Sequence, residues 1–218
     1  MTSLALEFSS AQRSVALARG GQVLAEAFES GERGTKAFGL IEKVLAAAKR
    51  SREEIEVIAV GLGPGSYAGI RVALAIAQGW QLARGVKLLG IGSVECLAAQ
   101  AQAEKLFGRV NVVMDAQRGE FYLATYEISA DGLEVIAPLK IAAATEVGSR
   151  AVAGEILIGP EVRPWFPAGR ILFPRAAMLV QLAVRRTDFK TGETLAPVYL
   201  RETNFVKASA QRRAGVTL

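Results

Sequence analysis

The sequence predicts an α/β fold of two related lobes, each a three-stranded meander followed by crossover helices on a mixed sheet. Three observations lead there. Residues 3–8, 13–19 and 22–29 are short apolar strands parted by the turns "SSAQR" and "RGGQ", and residues 35–50 then switch to a helical period. Residues 56–62, "EVIAVGL", form a buried strand that runs through a glycine-rich loop into an apolar helix over 67–84. The same order begins again at residue 109, and the turn inside "SSAQRSVALA" (9–18) matches the turn inside "MDAQRGEFYLA" (114–124).

The first unit reads β-β-β-α-β-α. Gly20 and Gly21 suit a tight hairpin between its second and third strands. The 35–50 helix sets Ala37, Phe38, Ile41, Val44, Leu45 and Ala48 on one stripe, with Thr35 as candidate N-cap. Gly39 inside it costs about 1 kcal/mol against Ala and is of the kind kept for close packing. The 67–84 helix is rich in Ala and Gly, with Arg71, Gln78 and Gln81 as its polar breaks. A helix apolar nearly all round is buried on more than one side. One face packs on the sheet, which leaves a second for the 35–50 helix, another subunit, or both. Trp80 is either core or an aromatic anchor at such an interface. Arg71, which opposes the macrodipole at the helix start, is either a surface charge or the partner of an acid on another chain.

Residues 86–106 join the halves, with "VKLLGIGS" as a strand and 93–106 as a helix. The second unit has strands at 109–115, 120–128 and 133–138, a middle helix reduced to about 141–150, a strand at 155–160 and a helix at 175–187. The expected organisation is an N-terminal lobe over 1–106, a smaller lobe over 107–203 and a basic tail over 204–218.

Composition removes whole classes of chemistry. With 218 residues, 51% apolar and 22% charged, the chain has a globular balance and room for a sizeable core. It contains no histidine, which eliminates Ser-His-Asp and Cys-His catalysis, His-Glu-x-x-His zinc peptidases and any His-supported metal site. The one cysteine, Cys96, excludes an intrachain disulfide and fits a reducing cytoplasm. No apolar run of about 18 residues indicates a membrane span. The start "MTSLALEFSS" lacks a basic leader and carries Glu7, so a cytoplasmic location with no membrane contact is expected. The net charge is 26 − 21 = +5, and Lys207, Arg212 and Arg213 lie in the acid-free end "VKASAQRRAGVTL". That end is either a solvated tail or an electrostatic contact to RNA or to an acidic partner.

The loop "GPGSYAG" has the look of a phosphate cradle. It lacks the Gly-Lys-Ser/Thr ending of a P-loop, and Gly63, Gly65 and Gly69 are spaced one residue longer than the dinucleotide fingerprint. Backbone amides at a helix start still attract anions. The better reading of Gly63, Pro64, Gly65, Ser66 and Gly69 is a tight structural turn that launches the helix.

The stretch "GLGPGSYAGIRVALAIAQG" resembles the Gly-Pro-Gly-Ser-Phe/Tyr-Thr-Gly-Leu/Ile-Arg signature of the bacterial TsaB (YeaZ) family, formerly labelled glycoprotease-like. "LALEFSSAQRSVAL", "VMDAQRGEFYLATY" and "LAPVYLRE" resemble its opening strand, its mid-chain strand pair and its C-terminal motif, so the likeness covers most of 3–203. Two departures stand out. Glu7, Phe8 and Ser9 replace the family's Asp-Thr-Ser, and Gly34, Thr35 and Lys36 stand where it often has His-Ser-Glu. A longer acid at 7 displaces the carboxylate by about one C–C bond.

The resemblance implies the duplicated lobes of the actin-like ATPase and sugar-kinase superfamily. It also implies a non-catalytic subunit of tRNA threonylcarbamoyladenosine formation that dimerises with a TsaD-type catalytic protein, assisted by a TsaE-type ATPase. A homodimer of the isolated chain and indirect contact with tRNA through the complex are compatible with this. The family's dimer interface uses the two long helices of the first lobe. The expected interface residues are therefore Phe38, Ile41, Leu45, Arg71, Leu74, Ala75, Gln78 and Trp80. Glu7, Ser9 and Asp115 mark a vestigial nucleotide site, with no cofactor expected on this chain and ATP with magnesium expected only in the partner complex. The alternative is an ATP-dependent phosphotransferase of the same superfamily, for which Asp115 or Glu7 would have to supply the carboxylate. A peptidase is left without a mechanism, given no histidine, metal triad or Ser-Lys dyad.

Overall fold

A computed structural model describes residues 1–31 and 36–200. The first half runs β1 (Thr2–Glu7), β2 (Gln12–Arg19), β3 (Gln22–Ser30), α1 (Ala37–Ala48), β4 (Val57–Gly61), α2 (Tyr67–Arg84), β5 (Lys87–Ile91) and α3 (Ser93–Ala103). The second runs β6 (Gly108–Asp115), β7 (Glu120–Ile128), β8 (Leu133–Ala143), α4 (Ala144–Val152), β9 (Ile156–Gly159), β10 (Arg170–Ile171) and α5 (Ala176–Ala183). The two five-stranded sheets have the same order, β3-β2-β1-β4-β5 and β8-β7-β6-β9-β10. In each, the meander is antiparallel and the strands after it join in parallel. The second half thus repeats the strand order of the first, which is the duplication that the sequence predicted. Among the described residues no helix is long and apolar enough to cross a membrane.

Period-two alternation decides what each sheet face meets. On the first sheet Leu4, Leu6, Val15, Leu17, Ile58 and Val60 point to one side, where α1 and α2 close a core. Ala5, Ala16, Ala18 and Ala59 point to the other, and these small side chains let α5 lie close. β1 is therefore buried on both faces along its whole length.

The helices cross the lobe boundary expected at 106. α3 ends the first half, yet its Val94, Leu97, Ala98 and Ala101 pack on Val110, Val112, Ala124 and Tyr126 of the second sheet. α5 belongs to the second half and covers the first sheet. The boundary divides the strands but not the helices, so each lobe needs a helix from the other to bury one face. The expected tail over 204–218 and Thr35 lie outside the described residues. The duplication is also more complete than the sequence suggested. β10 and α5 copy β5 and α3, and α4 copies α1; the counterpart missing from the second lobe is that of α2, replaced by the turns over 160–169.

α5 has no capping side chain of its own. Its first amides are satisfied by the first sheet: Ala176 N donates to Ser14 Oγ at 2.8 Å and Ala177 N to Glu26 Oε1 at 3.0 Å. Glu26 also pairs with Arg175, whose guanidinium lies 5.2 Å from the Phe28 ring centroid. A carboxylate at the positive end of a helix is favourable twice, as acceptor and as charge. Glu26→Ala is expected to cost about 1–2 kcal/mol in urea denaturation; a loss below about 0.5 kcal/mol would mean that water replaces this cap without penalty.

Candidate functional site

α1 and α2 lie side by side on the first sheet, and each turns a second face outward. In α1 the inward residues are Ala37, Leu40, Ile41, Val44 and Leu45. Leu40 was not foreseen on the stripe, while Phe38, placed on it, is 61% exposed. In α2 the inward residues are Gly69, Ile70, Ala73, Leu74, Ile76 and Ala77. Ile41 and Leu45 therefore belong to the lobe's own core and are corrected out of the expected contact surface, while Leu74, 6% exposed, reaches the surface only as part of a groove wall. Trp80 is half-buried against that core. Gln78 is also half-buried and donates to Gly192 O at 2.7 Å. Of the expected interface residues, Phe38, Arg71 and Ala75 stand on the open surface.

The open face of α2 is Ala68, Val72, Ala75, Gly79 and Leu82, at alternating spacings of four and three residues. That spacing forms one straight seam along a helix. Leu82 is 89% exposed. A Cβ on Gly79 would meet nothing within 4 Å, and one on Gly39 only Lys36 Cβ at 3.9 Å. Each glycine costs its helix about 1 kcal/mol against alanine, and no packing among the described residues requires it. Both leave notches on the outward side, where another helix could approach closely.

The glycine loop is held by its own chain. A Cβ on Gly65 would fall 2.1 Å from Ser9 O, and one on Gly69 2.1 Å from Phe8 O. Pro64 is buried, and the Gly63–Pro64 bond is cis. Ser66 N donates to Ser9 O at 2.7 Å, Gly63 N to Ser93 Oγ at 3.2 Å, and Gly69 N to Ser66 Oγ at 3.3 Å, which caps α2. Ser66 N is thus held by the end of β1, Gly63 N by the start of α3 and Gly69 N by the helix's own cap.

Glu7 sits behind this loop and is fully buried. Oε1 accepts from Ser9 N at 2.8 Å and Oε2 from Ser93 Oγ at 3.0 Å. The extra methylene has room because residue 61 is glycine, whose added Cβ would lie 2.0 Å from Glu7 Oε2. Burial pushes the carboxyl above its ordinary value of 4.5, and the bonds from Ser9 and Ser93 offset this only in part. The folded chain thus holds this proton more tightly than the unfolded one. The associated stability is present below the ordinary value and is lost as pH rises through the raised one. Relative to Glu7→Gln, the wild type should lose stability progressively as pH rises above the ordinary carboxyl value of 4.5 in stepped urea titrations. A pH-independent difference would place the carboxyl in contact with water.

Between the lobes lies a cleft of about 550 Å³, walled by Ser9, Ser10, Arg13, Ser66 and Tyr67 on one side and by Asp115, Gln117, Tyr122 and Glu161 on the other. Two of the three residues expected to meet here do so, Ser9 and Asp115. Glu7 does not reach the cleft, and this is a correction to the expected trio. Ser9 Oγ is buried without a hydrogen-bond partner of acceptable geometry among the described residues, and Arg13 donates to Gly31 O at 3.2 Å. Asp115 accepts from Gln117 N at 2.7 Å. Glu161, which sequence reasoning missed, has its carboxyl raised by burial and by the Asp115 charge. Among the described residues no three of Cys, Asp or Glu converge as a metal site. The first lobe's carboxylate is bonded to Ser93 Oγ and Ser9 N behind the loop and is not turned into the cleft.

Residues 34–184 match the family described as TsaD: tRNA N6-adenosine threonylcarbamoyltransferase. The chain is 28% identical to the tRNA threonylcarbamoyladenosine biosynthesis protein TsaB of Escherichia coli (strain K12), over 92% of this chain and 95% of that one. It is 33% identical to an uncharacterized protein of Mycobacterium tuberculosis (strain H37Rv), over 67% of this chain and 72% of that one. A crystal structure from Pseudomonas aeruginosa, described as similar to peptidase YEAZ, superposes with a TM-score of 0.79 at 26% identity, covering 92% of this chain and 99% of that chain. This chain belongs to the TsaB (YeaZ) family. The structure called YeaZ from the same organism superposes with a TM-score of 0.77 at 24% identity, covering 91% and 99%, and shares the fold. Within this TsaB-type lobe, two features escaped sequence reasoning. One is the seam from Ala68 to Leu82, whose letters are too small and ordinary to mark a surface. The other is the role of Tyr199, which lies in the "LAPVYLRE" motif and stacks on Tyr67 at 5.6 Å between ring centroids from 132 residues away.

Proposed function

We propose that this chain takes part in tRNA threonylcarbamoyladenosine biosynthesis as a non-catalytic subunit. It docks a TsaD-type catalytic protein through the outward faces of α1 and α2 and supports that protein's active form. The observation that carries the reading is the exposed seam of α2 with its unneeded Gly79, an apolar surface that the chain's own core leaves uncovered. Phe38 and Arg71 flank it as an apolar and a charged contact. The seam is confined to the first lobe because the second lobe has no copy of α2. A TsaE-type ATPase joins the assembly, tRNA is met through the complex, and the isolated chain pairs with itself through the same seam when no partner is present. ATP and magnesium act in the partner complex, and the assembly works in the cytoplasm. The phosphotransferase reading is disfavoured by Glu7, whose carboxylate is committed to Ser9 and Ser93.

The experiment is depletion of the chain in its own cell, with mass spectrometry of tRNA nucleosides. Threonylcarbamoyladenosine should fall and return on complementation, while the purified chain alone forms none. Unchanged modified nucleoside on depletion contradicts the reading, and so does synthesis by the chain alone.

A further inference from the structure

We propose that the groove between α2 and the returning segment 195–199 receives an extended segment of the docked partner. That segment sets a carboxylate on Arg71 and an apolar side chain between Leu74 and Leu195. The inference rests on the docking reading above and adds a surface that the helices alone do not provide.

The segment after α5 is fastened along α2. Gln78 Nε2 donates to Gly192 O at 2.7 Å, Gly192 N donates to Gln81 Oε1 at 2.6 Å, and Val198 N donates to Leu62 O at 2.9 Å. Leu195 is buried in the core under the first sheet's helices. What lies between segment and helix is a groove of about 380 Å³. Leu74, Ala75, Leu195 and Pro197 make it apolar, and Arg71 and Tyr199 close one end. Ala75 is shared with the exposed seam, so the groove and the docking face are continuous.

Charge selects the occupant. α2 has no acid in its first turn. Arg71 instead lies 4.9 Å from the Tyr67 ring centroid and donates to the Tyr67 hydroxyl, and no carboxylate pairs with it among the described residues. A cation near the positive end of a helix dipole is unfavourable until an anion joins it. Tyr67 and Tyr199 are 52% and 44% exposed, so the aromatic surface around this cation is open to a partner. A carboxylate bonded by the guanidinium, with an apolar neighbour entering the groove, satisfies both demands. A basic segment would be repelled.

The test uses full-length chain and the TsaD-type protein of the same organism in calorimetric titrations at low and high salt. Arg71→Gln should weaken binding at least about tenfold and reduce its salt dependence, because an ion pair is lost. Ala196→Phe, on the exposed rim of the groove, should weaken it at least about tenfold by filling the space. Gly79→Arg blocks the seam outside the groove and separates the two readings. If Gly79→Arg abolishes binding while the other two leave it within about twofold, the docking reading stands and the groove proposal falls. If all three variants bind as wild type, docking on α2 fails and the groove proposal fails with it.

Discussion

Ala75→Arg should weaken capture of a TsaD-type partner by about a hundredfold or more and leave the isolated chain folded. Ala75 lies in the middle of the seam, with Ala68 and Val72 before it and Gly79 and Leu82 after it. Its side chain is exposed, and arginine is a good helix former, so the lobe itself has no reason to unfold. A partner helix packed at close range meets the new side chain at the centre of the contact. It must then either back away or bury a guanidinium without a counter-charge, a cost of several kcal/mol. Titration of wild type and variant with the partner, together with melting curves of each alone, checks both halves. A dissociation constant within about threefold of wild type would remove α2 from the interface.

Two glycines of the same helix should respond to alanine with opposite signs. By helix propensity alone, Gly69→Ala and Gly79→Ala each stabilise by about 1 kcal/mol. At Gly79 the added Cβ meets nothing within 4 Å, so the isolated chain should gain up to that amount. At Gly69 it would stand 2.1 Å from Phe8 O and 3.2 Å from Ser66 Oγ. The backbone at Phe8 must move and the Ser66 side chain that caps α2 must give way. The expected loss is about 3 kcal/mol or more, well beyond the propensity gain. Denaturation of the two variants side by side measures the difference. Equal stabilisation of both would show that the loop is not packed against β1, and the account of it as a structural turn would fail.

Much of this was legible from the sequence because alternation and apolar periods report burial directly. The strands of both meanders and the full span of α2 are examples, and the repeated Ala-Gln-Arg turn gave the duplication. What a period cannot say is against which surface an element is buried. α3 and α5 read as apolar helices in their own halves, and each is covered by the other half's sheet. Within α1, Phe38 and Ile41 are both apolar and nearly in phase, so only the packed sheet shows that Leu40 and Ile41 turn in and Phe38 turns out. Glu7 shows the limit for polar groups. Its chemistry suggested the cleft, but the space left by Gly61 and the hydroxyl of Ser93 draw it away, and both partners are remote in sequence. Glu161 carries no local pattern, and the motif around Tyr199 does not say what Tyr199 touches, because their neighbours are brought to them by tertiary packing.

The central proposal is that α1 and α2, and not the cleft, form the docking face for a catalytic partner. Hydrogen–deuterium exchange of the full-length chain, alone and saturated with its TsaD-type partner, tests it most directly. The account predicts protection over α2 (Tyr67–Arg84) and the exposed side of α1 (Ala37–Ala48), with the cleft turns at 9–13 and 114–118 unchanged. Protection confined to those turns, with α1 and α2 exchanging as in the free chain, would contradict it.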